Sequence, residues 1–164
     1  MINPKISKSI SGFTKNSLIY IDPRIANAET PLHEYSHIWA EVLRQRNPQE
    51  WQHIVDMMKD TPEVWNYVKQ KYLHLHTDEQ IADEALAQFS GKRGYMKLMT
   101  FMMEKNDVDT VFGMVIEDCG EFRNCGAKFF GIHYTNKEEV ADHILYDLMN
   151  EVNPFDYIEE KKVI

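Results

Sequence analysis

The residues best placed to do chemistry are His33, Glu34 and His37, in the run Thr30-Pro31-Leu32-His33-Glu34-Tyr35-Ser36-His37-Ile38-Trp39. Their pattern is H-E-x-x-H. On a helix, residues four apart stand one above the other on the same face, so both imidazoles can reach one ion. Glu34 lies about 100° further round. That puts its carboxylate beside the ion's open position rather than on the ion. A zinc ion held this way lowers the pKa of its bound water to about 7. Glu34 can then take the water's proton and pass it to a leaving amine. The chemistry implied is metal-assisted hydrolysis of a peptide bond. The bland alternative is an amphipathic helix with two surface histidines, but a chance H-E-x-x-H in this composition is expected only about 0.03 times per chain.

The motif needs a helix, and the local sequence supplies one. Thr30 suits an N-cap and Pro31 the first helical position. Leu32, Ile38, Trp39, Val42 and Leu43 form an apolar stripe at helical spacing, and Asn47-Pro48 stops the helix after Arg46. Just before it, Leu18, Ile19, Tyr20 and Ile21 make a short β-prone run closed by Asp22-Pro23. Two uses of that strand stand open: pairing with an extended substrate through backbone bonds, or an ordinary edge strand.

Two histidines leave a catalytic zinc one protein ligand short. A carboxylate from a separate helix is the usual completion. Thr77 and Gln80 form a capping box that opens a helix through Leu86, Ala87 and Phe89 to a stop at Gly91. On it, Glu79 is the first choice of ligand. Asp83, one turn on along the same face, is suited to accept the N–H of a ligating imidazole. Glu84, His74 and His76 are the competing ligands, and a solvated acidic face is the alternative for all the carboxylates.

Composition sets the frame. The chain of 164 residues is long enough for one domain with a core, and an apolar share of 43% is ordinary for a globular protein. A net charge of −8 with no basic run argues against nucleic-acid or anionic-membrane partners. No apolar stretch is long enough to span a bilayer, and the N-terminus lacks the apolar core of a signal peptide. Cys119 and Cys125 alone make no disulfide scaffold and read as structural or incidental thiols, which points to the cytoplasm.

The rest of the chain reads as supporting structure. Residues 1–16 are polar and form a loose arm. Asn47-Pro48-Gln49-Glu50 opens a second helix with a capping-box glutamate, and Thr61-Pro62 opens a third reaching Tyr72. His53 lies among polar neighbours, as a surface residue would. Met96, Met99, Met102 and Met103 recur at helical spacing and read as core filling, with an adaptable binding surface as the alternative. A further helix is expected over 107–117 and a strand over 128–134. His133 and Tyr134 there are late candidates for oxyanion stabilisation, against the plainer reading of ordinary strand residues. Asn136 and Glu139 cap a last helix that ends before Pro154.

The run IYIDPRIANAETPLHEYSHIW followed by DEQIADEALAQFSG resembles zinc metallopeptidases of the gluzincin type. Within that group it looks most like the small metallopeptidase domains of large polyvalent proteins of phages and conjugative elements. The strand directly before the motif helix is also similar to peptidases of the ImmA/IrrE type. The resemblance covers residues 18–91. It implies a third ligand in an E-x-x-x-D helix pattern, here Glu79 to Asp83, although the two helices between His37 and Glu79 make that interval longer than in many gluzincins. The expectation is a single domain over 1–164, α+β and mainly helical, with a zincin-like motif-bearing core at 17–91 and a helical C-terminal part at 92–164. It holds Zn2+ on His33, His37 and Glu79, uses Glu34 as base and acts on a protein or peptide. The alternatives are a zinc-stabilised binding or regulatory module without turnover, and a plain helical interaction domain.

Overall fold

The computed structural model describes residues 12–15, 18–21, 27, 29–104 and 132–155. Within them the chain is mainly helical: a hairpin of β1 (Gly12–Lys15) and β2 (Leu18–Ile21) precedes α1 (Thr30–Arg46), α2 (Pro48–Lys59), α3 (Pro62–Lys71), α4 (Asp78–Glu104) and α5 (Lys137–Met149). β1 and β2 pair antiparallel, with Phe13 opposite Tyr20 and Lys15 opposite Leu18. The arm expected over 1–16 therefore carries a strand at 12–15. The expected helix over 107–117, and with it Cys119 and Cys125, lies outside the described residues. No helix among the described residues is long and apolar enough to cross a membrane.

The helix ends follow from side chains that satisfy orphan backbone N–H groups. Asn47 Oδ1 accepts Glu50 N–H at 3.2 Å at the start of α2, and Asn136 Oδ1 accepts Glu139 N–H at 2.9 Å at the start of α5. At α4 the capping box closes both ways: Gln80 N–H donates to Thr77 Oγ1 and Thr77 N–H to Gln80 Oε1. Two caps differ from expectation. Glu29, not Thr30, occupies the N-cap of α1, while the Thr30 hydroxyl accepts Asn27 N–H at 3.1 Å. At α3 the Thr61 hydroxyl turns back to Met57 C=O instead of capping forward.

α4 is the central element and packs against α1, α2, α3 and α5. Trp39, Val42 and Leu43 of α1, Trp51, Ile54, Val55 and Met58 of α2, Leu86 of α4, and Ile144 and Leu145 of α5 form the core. Gly91 does not stop α4; the helix runs on to Glu104. Its role is close approach. A Cβ at Gly91 would stand 3.3 Å from Glu29 C=O and 3.6 Å from His33 Cβ, and one at Gly94 would overlap Leu32 Cδ2. The two glycines let the start of α1 lie on the backbone of α4, which fixes the height of the motif against the acidic residues of α4. The methionine stripe, expected in the core, is in part on the surface: Met96 is 62% and Met99 38% exposed.

One buried polar network ties α1 to α5. Trp39 Nε1–H donates to Asp147 Oδ2 at 3.0 Å, and the Tyr134 hydroxyl meets His143 Nδ1 at 2.7 Å. His143 Nε2 stands 3.4 Å from Asp147. All four side chains are buried, so each must find its partners inside the fold.

Candidate metal centre

His33 and His37 project from one face of α1, as four-residue spacing requires. Their Nε2 atoms are 3.2 Å apart. Glu84 of α4 faces both: Oε1 lies 3.1 Å from His33 Nε2, and Oε2 lies 3.3 Å from His37 Nε2. These side chains form one of the groups whose donor atoms converge closely enough to hold a metal ion.

The donor spacing can be tested against an ion. A tetrahedral zinc with bonds of about 2.0–2.1 Å places its donors roughly 3.3–3.4 Å apart. The two imidazole nitrogens, 3.2 Å apart, are close to that spacing, and the Glu84 carboxylate spans them, with Oε1 3.1 Å from one and Oε2 3.3 Å from the other. Two imidazoles and a carboxylate are a zinc-type donor set.

Asp83, next to Glu84, reaches the other side of the same imidazole. Its Oδ2 lies 3.1 Å from His37 Nδ1. A carboxylate only accepts, so the proton sits on Nδ1, and neutral His37 keeps its Nε2 lone pair for an ion. Without one the site is strongly polarised. Burial alone would lower the His37 pKa, but the hydrogen bonds and charges of Asp83 and Glu84 raise it well above its ordinary value of 6.5. Burial would raise Glu84, yet its bonds to His33 and His37 hold it far below the usual carboxylate range.

Glu34 is buried beside this group without being one of the converging donors. Burial pushes its pKa up, the charges of His37 and His33 oppose that, and Glu84 and Asp83 add to it. Among the described residues no hydrogen bond holds its carboxylate. A buried carboxylate with a raised pKa, beside two imidazoles and with no hydrogen-bond partner among the described residues, is suited to general-base work.

Glu79, the expected third ligand, is exposed in the first turn of α4 and belongs to no converging group. Glu84 takes that place. The step of five positions from Glu79 to Glu84 rotates the side chain by about 140° round the helix. His74 and His76 are exposed in the loop before α4; His74 packs edge-on to Tyr72, and His76 N–H donates to Gln80. Two residues not anticipated at the site support Glu84. Gln88 Nε2 donates to the Tyr72 hydroxyl at 3.1 Å and reaches Glu84 Oε1 at 3.4 Å. Burial and the neighbouring Glu84 charge hold the Tyr72 phenol above its ordinary pKa.

His133 and Tyr134 do not join this centre. Residues 132–134 are irregular rather than a strand, and 128–131 lie outside the described residues. The Tyr134 hydroxyl is committed to His143, and His133 pairs with Glu50 of α2 at 2.9 Å.

Comparison with known proteins finds no matching family model and no similar curated protein or solved structure. The functional reading therefore rests on the geometry of the site.

Proposed function

We infer that this protein is a zinc-dependent peptidase. The observation that carries the reading is the convergence of His33 Nε2, His37 Nε2 and the Glu84 carboxylate, as the donors of one ion would converge, with buried Glu34 beside them and its carboxylate without a hydrogen bond among the described residues. His33, His37 and Glu84 would hold the ion, and Asp83 fixes the tautomer and orientation of His37. Zinc bound there would polarise the scissile carbonyl and bring the pKa of its water to about 7. Glu34 receives the proton of the attacking water and delivers it to the departing amine, so one carboxylate serves as base and then as acid. Such a site belongs to a zincin-like core of the gluzincin type, with Glu84 in place of Glu79.

A strand edge left unpaired among the described residues supports a reading of the substrate class. β2 pairs with β1 on one side only; among the described residues no strand covers its other edge. Leu18, Ile19, Tyr20 and Ile21 offer that edge to an extended peptide, whose main chain can pair with it whatever its sequence. The substrate is accordingly an extended segment of a protein, and the cytoplasm is the setting proposed for the reaction.

The test is Glu34→Gln, with zinc content and hydrolysis of an unfolded protein substrate read together. Zinc retained with hydrolysis abolished supports the role of Glu34. Full activity in the variant contradicts it. A wild-type protein that holds zinc and cleaves no peptide would instead be a zinc-stabilised binding module.

A further inference from the structure

The geometry points to a second ion site, for a divalent transition metal of the zinc type, built from Glu50 and His53 of α2 and His133. This inference does not depend on the peptidase reading. The side chains of Glu50 and His133 are 83 positions apart in the chain, and with His53 they offer donor atoms that all lie within 4.8 Å of one another.

Glu50 and His53 are three residues apart on α2, so they share one face. In sequence, Glu50 reads as half of a capping box, yet its carboxylate is turned to a distant segment. Oε1 accepts Tyr134 N–H at 2.8 Å, and Oε2 meets His133 Nδ1 at 2.9 Å. His53 Nε2 meets the Tyr134 carbonyl at 2.8 Å. A carbonyl only accepts, so the His53 proton is on Nε2 and the lone pair is on Nδ1. This is the arrangement typical of a ligating histidine, whose second nitrogen donates to a backbone carbonyl. The backbone N–H and C=O of one residue, Tyr134, thus fix one oxygen of Glu50 and the tautomer of His53. The rings of His53 and His133 stack at 4.5 Å, which brings the third donor alongside.

The donor set selects the ion. Two imidazole nitrogens and one carboxylate favour zinc-type metals over calcium or magnesium, which take oxygen ligands. Glu50 is buried, whereas the His133 side chain is 74% exposed. His133 is therefore free to close on an ion, which would replace the proton between His133 Nδ1 and Glu50, while water completes the coordination. An ion there clamps segment 132–134 onto α2. Through the Tyr134 hydroxyl, His143 and Asp147, that clamp leads to Trp39 on the motif helix. The role is a brace and not a reaction centre.

The experiment is native mass spectrometry of the full chain equilibrated with buffered Zn2+, on wild type, Glu84→Ala, His133→Ala and the double variant, with thermal midpoints alongside. His133 is exposed, so its replacement leaves the fold intact. The expected result is a second ion in the wild type that His133→Ala loses and Glu84→Ala keeps. Zinc should raise the midpoint of Glu84→Ala and leave the double variant unmoved. A Glu84→Ala protein that takes up no zinc, or a His133→Ala protein that binds as many ions as the wild type, overturns the second site. Neither outcome touches the first.

Discussion

Replacing Asp83 isolates the orientation of a ligand from the ligand itself. Asp83 Oδ2 holds His37 Nδ1–H at 3.1 Å, and the two side chains are 32% and 19% exposed. At that exposure the pair contributes only about 0.2–1 kcal/mol to folding. Its larger effect is on the ion, because without the acceptor His37 is free to turn and to move its proton to Nε2, where the ion must bind. Losing such a partner typically weakens metal affinity 10–100-fold, or about 1.4–2.8 kcal/mol. Asp83→Ala should therefore lower zinc affinity by that factor while barely changing the stability of the metal-free protein. Asp83→Asn keeps an acceptor oxygen and should retain most of the affinity. The assay is competition with a chromophoric chelator, beside thermal unfolding in chelator. An Asp83→Ala protein with wild-type zinc affinity would refute the reasoning, as would one unfolded without metal.

Three other perturbations probe the same architecture. Tyr72→Phe removes the hydroxyl that shares the Gln88 amide with Glu84. Zinc affinity should fall about 2–10-fold, the worth of one hydrogen bond, and an unchanged competition curve would remove Tyr72 from the site. Gly94→Ala gains about 1 kcal/mol of helix propensity but drives a methyl into buried Leu32. Overpacking costs about 1–3 kcal/mol, so the thermal midpoint should fall, and Leu32→Ala in the same chain should relieve it; a raised midpoint for Gly94→Ala alone contradicts the close contact. The metal-free protein should also show a bounded pH window. Glu84 is lowered, so its contribution is present above about 4.5 and is lost as pH falls toward its depressed value. His37 is raised, so its contribution is complete below about 6.5 and is lost as pH rises through its elevated value. Chelator-treated protein should thus be most stable between those limits, and urea unfolding that strengthens steadily into alkali would contradict it. Zinc reverses the alkaline limb, since ligands must be unprotonated to bind.

The legible part of this molecule is local. The H-E-x-x-H helix, its proline start and its end before Asn47-Pro48 follow from neighbouring residues, as do the caps at Asn47, Thr77 and Asn136. The carboxylate that joins the two histidines could not be read locally, because it depends on how α4 is rotated against α1. That rotation is set by Gly91 and Gly94 seating Glu29, His33 and Leu32. A signal was present in the sequence. Glu84 precedes Gly91 by seven residues, two turns, so it lies on the face that approaches α1. Reading Gly91 as a helix stop hid that face and favoured Glu79. Glu50 was misassigned for a similar reason: the capping-box pattern is local, but its carboxylate is claimed by Tyr134, which lies far along the chain.

The account stands most directly on zinc content. The His133→Ala parent and its Glu84→Ala and Glu79→Ala derivatives would be purified alike and exchanged into buffered Zn2+, so that only the H-E-x-x-H centre is counted. Zinc bound in the parent and in Glu79→Ala, and lost in Glu84→Ala, is the predicted result. Zinc retained in Glu84→Ala and lost in Glu79→Ala would contradict it.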